Sequence, residues 1–265
     1  MATKFADIGK GPRDLLNDDY TTKTTLKCKK NAGPVAVTIE TERGESGALS
    51  SKIGTKFAYA KFNVDKAQAT ANGGRVLETS MMVAPGVKLS FKANKGADLG
   101  VDYKSGNFCA TGKFDAANMS KVSSSACIAL PSGVIAGGDA TYSLGEKAGL
   151  SGLNMGASYS HGQLSASVTS ASKFSQFNLG LLYKVNDEVT LASQTAHSSE
   201  KTCDVGGVGG SYKAPFGLIK AKYSGSGQVS ASLIKDIAPK VSLTASGTVD
   251  VSDFSTFKYG FGLTM

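Results

Sequence analysis

The chain closes on Phe257-Lys258-Tyr259-Gly260-Phe261-Gly262-Leu263-Thr264-Met265. Its odd positions carry Phe257, Tyr259, Phe261, Leu263 and Met265, and its even positions Lys258, Gly260, Gly262 and Thr264. Side chains on a strand point alternately to its two faces, so this segment sets large apolar groups on one face and small or polar ones on the other. In an open sheet such a strand would leave a greasy unpaired edge, a hazard for aggregation. In a closed barrel it has a neighbour on each side, and its apolar face can meet lipid. The reading therefore predicts that the rest of the chain supplies the other strands of a barrel.

From residue 22 onward the hydrophobic period is two. Lys23, Lys27 and Lys29 alternate with Thr24, Leu26 and Cys28, and Val35, Val37 and Ile39 with Ala36, Thr38 and Glu40. Val87, Leu89 and Phe91 alternate with Lys88, Ser90 and Lys92, and the same rhythm returns at Phe177–Tyr183 and Val241–Ala245. Turn clusters such as Asn72-Gly73-Gly74, Asn94-Lys95-Gly96 and Asn186-Asp187 separate the runs. At roughly 13 residues per strand and turn, about 244 residues hold roughly 18 to 20 strands, the range of a mid-sized membrane barrel. The polar faces carry Ser, Thr, Gly and Lys rather than long charged side chains throughout, which suits a wide, wet lumen.

Composition agrees. The 265 residues include 32 glycines and no Trp, and 29 basic against 21 acidic side chains leave a net charge of +8. Glycines within alternating segments suit strands that bend or pack closely. A basic balance alone does not choose among nucleic acid, anionic lipid and small anions. No run approaches the 18 or so apolar residues of a transmembrane helix, a rule that does not apply to barrel strands. No charged n-region with an apolar core opens the sequence, and Asp7, Asp14, Asp18 and Asp19 are unlike an acidic-poor transit peptide. The expectation is a protein that reaches its membrane without a cleaved leader.

Residues 1–21 differ from the rest. Phe5, Ile8, Leu15 and Leu16 can share a helical face, with Lys10 and Arg13 elsewhere around it. Pro12 suits a first helical turn, so the spacing predicts two short pieces, 5–9 and 12–17. So short an amphipathic segment is marginal in water and needs a surface to dock on. Phe5, Ile8, Leu15 and Leu16 are the expected docking residues, leaving Lys10 and Arg13 toward water.

Chemistry-bearing clusters are sparse. Cys28, Cys109, Cys127 and Cys203 lie far apart with no CxxC, and read as small residues on strand faces. His161 and His197 have no Ser/Asp or Cys/Asp companions nearby and read as surface or turn histidines. Gly206-Gly207-Val208-Gly209-Gly210 precedes no helix, so it reads as a crowded or bent strand rather than a phosphate loop. No catalytic, cofactor-binding or metal-ligating residue is expected.

The closing strand also fits a polar–x–Gly–x–x–hydrophobic–x–hydrophobic pattern, filled by Lys258, Gly260, Leu263 and Met265. It is similar to the sorting signal of mitochondrial outer-membrane barrels. Phe5-Ala6-Asp7-Ile8-Gly9-Lys10 with Arg13-Asp14-Leu15 resembles the N-terminal segment of the voltage-dependent anion channels, the mitochondrial porins. Gly86-Val87-Lys88-Leu89-Ser90-Phe91, Ile219-Lys220-Ala221-Lys222 and Pro239-Lys240-Val241-Ser242-Leu243-Thr244 are similar to further family stretches, while residues 110–175 match mainly in strand rhythm. The resemblance implies an all-β barrel of about nineteen strands over 22–265, its first and last strands parallel, with segment 1–21 inside the lumen. It implies a voltage-gated, weakly anion-selective diffusion pore of the mitochondrial outer membrane, not an enzyme, passing ATP, ADP and phosphate. Lys88 lies in the stretch linked to nucleotide contact. A protein-import channel of the same fold and a docking barrel for cytosolic proteins are the alternatives.

Three features depart from that family. Tyr20-Thr21-Thr22-Lys23 stands where glycines usually join helix to barrel, Pro12 interrupts the helix, and no glutamate appears near Ala58-Tyr59-Ala60-Lys61. In the expected register Lys10, Arg13, Lys23, Lys27, Lys29, Lys88, Lys92, Lys220 and Lys222 line the pore. Lys52, Lys56, Lys104 and Lys258 join them, opposed by Glu40, Glu78, Asp98 and Asp102. An excess of lumen cations concentrates anions. The expected partners are membrane lipid, and nucleotides and small anions in transit, with a second copy of the chain and cytosolic kinases as further docking candidates. Nucleic acid is not expected as a specific ligand.

Overall fold

The computed structural model describes residues 3–145, 148–198 and 201–265, with the side chains of 201–205 left aside, so the Cys203 thiol lies outside the described residues. A single sheet of nineteen strands closes on itself among the described residues. The first eight are β1 (Thr24–Ala32), β2 (Val35–Arg43), β3 (Leu49–Tyr59), β4 (Phe62–Thr70), β5 (Arg75–Ala84), β6 (Val87–Ala93), β7 (Ala97–Ser105) and β8 (Phe108–Asp115). The middle of the wall is β9 (Lys121–Ala129), β10 (Val134–Ser143), β11 (Gly149–His161), β12 (Leu164–Ala171), β13 (Gln176–Lys184) and β14 (Val189–Ser198). It ends with β15 (Lys201–Ala214), β16 (Gly217–Tyr223), β17 (Gln228–Ala238), β18 (Val241–Asp250) and β19 (Lys258–Thr264). Each strand pairs antiparallel with the next, and β1 closes the ring against β19 in parallel, from Thr24↔Phe261 to Lys27↔Thr264. The seam is hydrogen-bonded along its length: Phe261 N donates to Lys23 O (3.1 Å), Met265 N to Lys27 O (2.8 Å) and Lys29 N to Met265 O (2.6 Å).

Alternation decides which face each side chain takes. Leu26, Ile39, Leu99, Val101, Leu179, Leu181, Leu191 and Phe261 all stand exposed on the outer face. In water a surface this apolar would aggregate; against hydrocarbon it is the favoured one. Aromatic side chains gather at the strand ends, as in the girdles of membrane barrels. Tyr59, Phe62, Tyr103, Phe108, Tyr212 and Phe216 mark one rim, and Tyr142, Tyr223, Phe254 and Phe257 the other. On the closing strand the Phe257, Tyr259 and Phe261 rings form a ladder with centroids 6.3 and 5.8 Å apart. No helix among the described residues is long and apolar enough to cross a membrane.

The N-terminal segment folds into a 3-10 turn, Phe5–Asp7, and an eight-residue helix α1, Lys10–Asn17. The helix starts two residues earlier than the proline suggests. Gly9 takes a left-handed conformation at the N-cap, and Pro12 falls in the first turn, where backbone N–H groups have no intrahelical acceptor to lose.

Candidate functional site

The site is the lumen together with the segment lying in it. A wall one sheet thick has no interior of its own, so its most buried apolar side chains mark where something covers it. Ile8, Leu15 and Leu16 are buried, and the two leucines cluster with Ala192 on β14 and Leu182 on β13. The 3-10 turn rests on β9 and β10, and α1 on β13, β14 and β15. Glycines clear the path. A Cβ built at Gly156 on β11 would stand 3.3 Å from the Phe5 ring, at Gly180 on β13 3.3 Å from the Pro12 ring, and at Gly209 on β15 2.9 Å from Leu16 Cδ2. Gly156 and Gly180 are positions of close approach that the sequence reading passed over. Isolated glycines in strands do signal close approach, but the approaching group cannot be named from the strand alone. Gly209 belongs to the glycine run read as a crowded strand, and Leu16 is part of the crowd.

Lys10 and Arg13 stay exposed to the lumen. Arg13 Nη2 donates to Ala6 O at 3.1 Å, tying α1 to the 3-10 turn, and Lys10 Nζ lies 3.9 Å from Asp7. Charge fastens both ends of the segment to the wall. Lys4 Nζ sits 2.7 Å from Asp102 on β7, and Lys220 on β16 sits 2.6 Å from Asp19. Tyr20 lies under the Lys222 ammonium, 4.6 Å from its ring centroid. Burial, then the nearby Asp19 charge, pushes the Tyr20 phenol up to about 12, so it stays neutral at any working pH.

The linker that follows lies on the closing strand. Ser246 on β18 donates its hydroxyl to Thr21 O, and a Cβ at Gly260 would collide with Thr21 O and come within 2.7 Å of Lys23 O. Gly260, one of the four residues of the sorting pattern, is thus the bare floor under the linker. Of the other three, Lys258 pairs with Glu45 at 2.8 Å, while Leu263 and Met265 take the outer parity.

The expected pore-lining lysines stand in ion pairs more often than the sequence register implies. Glu40 on β2 is bracketed by Lys27 on β1 (3.3 Å) and Lys52 on β3 (2.7 Å), its two register partners. Lys92 pairs with Glu78 at 2.9 Å, Lys88 with Asp65 at 3.5 Å, and Lys23 with Glu42. Glu42, Asp65, Asp19 and Glu45 therefore join the acids expected from sequence. Asp65 escaped simple alternation because the ladder slips between Val64 and Lys66, which turns it inward to accept from Ser80 as well. Of the expected pore-lining cations, Lys29, Lys56, Lys104, Lys222 and Arg13 have no carboxylate partner among the described residues.

Charge is also distributed unevenly around the ring. Lumen lysines and carboxylates crowd β1 to β8, whereas β9 to β14 present mainly Ser, Thr, Asn and Gln, joined across strands by contacts such as Ser123–Thr141 (3.1 Å) and Ser160–Ser165 (3.0 Å). The 3-10 turn and α1 rest mainly on this less charged stretch and on β15, while the charged ends of the segment reach Asp102 on β7 and Lys220 on β16. His161, stacked on Tyr159, and His197 are both exposed near strand ends. No group of three or more potential metal ligands occurs among the described residues.

The sequence pattern of the eukaryotic porins matches residues 2–262. The chain belongs to the eukaryotic porin family. Barrels of single bacterial chains carry even strand numbers, so nineteen strands set this barrel apart from them. The porin's fold is similar to those of two mutant forms of the Rhodopseudomonas blastica porin. One has a TM-score of 0.53 at 13% identity and the other 0.51 at 14%, each similarity covering 91% of this chain and 95% of the other. At such identity the likeness concerns the fold. No curated protein sequence matches the chain. As a eukaryotic porin it is a general diffusion pore of an outer membrane, in a family of channels rather than enzymes.

Proposed function

We propose that this porin is a voltage-gated, weakly anion-selective pore of the mitochondrial outer membrane, passing ATP, ADP, phosphate and other small metabolites and ions. The observation that carries the reading is the arrangement of the lumen: a short segment held to the wall by separable ion pairs, and a lysine-rich wall along β1 to β8. Unpaired cations act at full strength on a passing anion, while paired ones act as dipoles and exchange partners. Fields between exposed charges fade over about 8 Å at physiological salt, so selectivity is a weak sum over many groups. Lys88, half exposed and only loosely paired with Asp65, is free to exchange that carboxylate for a nucleotide phosphate in transit. Closure under voltage follows if the segment, or the wall it rests on, leaves this arrangement.

Efflux from vesicles tests the permeation part. Lipid vesicles carrying the purified porin should release trapped ATP while retaining a dextran too large for the lumen. Retention of both would contradict the reading.

A further inference from the structure

Two thiols stand directly opposite each other on neighbouring strands. Cys109 on β8 is the register partner of Cys127 on β9, with Thr111 and Ser125 joined the same way two residues further on. Ala129 N donates to Asn107 O at 2.8 Å, which makes that a hydrogen-bonded pair and, two residues along, Cys109 and Cys127 another. Such pairs hold their Cα atoms about 5.5 Å apart, inside the range of about 4.4–6.8 Å that a disulfide spans. Both thiols are free. The Cys127 sulfur lies over Gly137 on β10, so linkage requires it to turn about χ1 toward Cys109.

Both are also among the most deeply covered side chains of the porin, at 3% and 2% exposure. The 3-10 turn Phe5–Asp7 lies against β9, which carries Cys127, and against β10, while Cys109 packs with Ala129 and Ile135. The bridge from Lys4 to Asp102 on β7 holds that end of the segment in place.

We propose that Cys109 and Cys127 form a redox-active dithiol site, oxidised to a cross-strand disulfide by thiol oxidants of the peroxide class when the N-terminal segment lifts. The Cys109 thiolate attacks one peroxide oxygen, the O–O bond breaks, and the leaving hydroxide takes up the thiol's proton as water, leaving a sulfenic acid. The Cys127 sulfur then attacks the Cys109 sulfur. The S–S bond forms, the S–O bond breaks, and a second water departs with the remaining proton. Two thiols lose two electrons, and the peroxide takes them. The segment sets the rate, because the docked turn lies against the strand that carries Cys127.

The test uses the full chain in lipid vesicles, treated with hydrogen peroxide, alkylated, digested and read by mass spectrometry. The expected result is a Cys109–Cys127 linked peptide, lighter by two hydrogens and restored by dithiothreitol. In Lys4→Glu, which sets like charges at Asp102, linkage should form at least about tenfold faster, because local opening is more frequent. Adding Asp102→Lys restores the bridge with reversed signs and should bring the slow rate back, which separates loss of cover from misfolding. Cys109→Ser should abolish the linkage. Equal rates in the native chain and Lys4→Glu would overturn the proposal. So would conversion of Cys127 to sulfinic acid in Lys4→Glu with no link to Cys109.

Discussion

Leu16→Ala is the sharpest probe of segment docking. Leu16 is 4% exposed, packed with Leu15, Ala192 and Leu182, and seated where Gly209 leaves the wall bare. Truncating a buried leucine costs roughly 2–5 kcal/mol, and the low end applies because water in the lumen can enter the gap. About 2–3 kcal/mol lowers the docked-to-undocked ratio roughly 30- to 150-fold, at about 1.4 kcal/mol per factor of ten. An undocked eight-residue helix does not hold itself together, so undocking also releases the α1 amides to solvent. Amide hydrogen exchange followed by mass spectrometry reads this directly. Exchange over Lys10–Asn17 should accelerate by that factor, while β13 to β15 keep their protection. Unchanged exchange in α1, with the barrel folded, would show that the leucine contacts do not hold the segment and would refute the reasoning.

Three further outcomes follow from the same geometry. Replacing Lys10, Arg13, Lys88 and Lys92 together with glutamate changes those positions from +4 to −4, as large a change as the whole chain's net charge of +8. Reversal potentials under a KCl gradient should then swing from anion toward cation preference, less so at high salt. Gly260→Val forces a side chain into the linker backbone and should destabilise the barrel by the roughly 1–3 kcal/mol typical of overpacking, read as a lower melting temperature. Gly262→Val, whose Cβ would meet only Thr244 at an ordinary 3.6 Å, should not. Hydrogen bonds from Lys258 and then Thr22 hold the Glu45 carboxyl below the usual carboxylate range. Its folded value is depressed, so the stabilisation is complete above the ordinary carboxylate pKa and is lost as pH falls through the depressed one. Glu45→Gln should therefore lower the melting temperature near neutral pH and make no difference below both values.

The barrel was legible because lipid and water impose the same alternation on every strand. The closing strand alone shows it, with its aromatic ladder outside and Gly260 and Gly262 inside. The position of α1 was less so: Pro12 suggested a start that Gly9, with its left-handed backbone, moves two residues earlier. Pairing was hidden further. Glu40 between Lys27 and Lys52 depends on register across three strands, and Asp65 turns inward only because of a bulge. Cys109 and Cys127, 18 positions apart in sequence, read as unrelated until β8 and β9 are laid side by side. The glycines of β11, β13 and β15 announce closeness without saying to what. Local period predicts faces; it does not predict which faces meet across a lumen.

The central claim is that the lumen conducts, favours anions and closes when the docked segment is disturbed by voltage. A planar-bilayer recording of the purified porin under a KCl gradient tests all three parts together. The account predicts stepwise conductance, a reversal potential on the anion side, and a drop to lower-conducting states as voltage rises at either polarity. A barrel that inserts yet conducts without anion preference, or whose conductance ignores voltage, would contradict it.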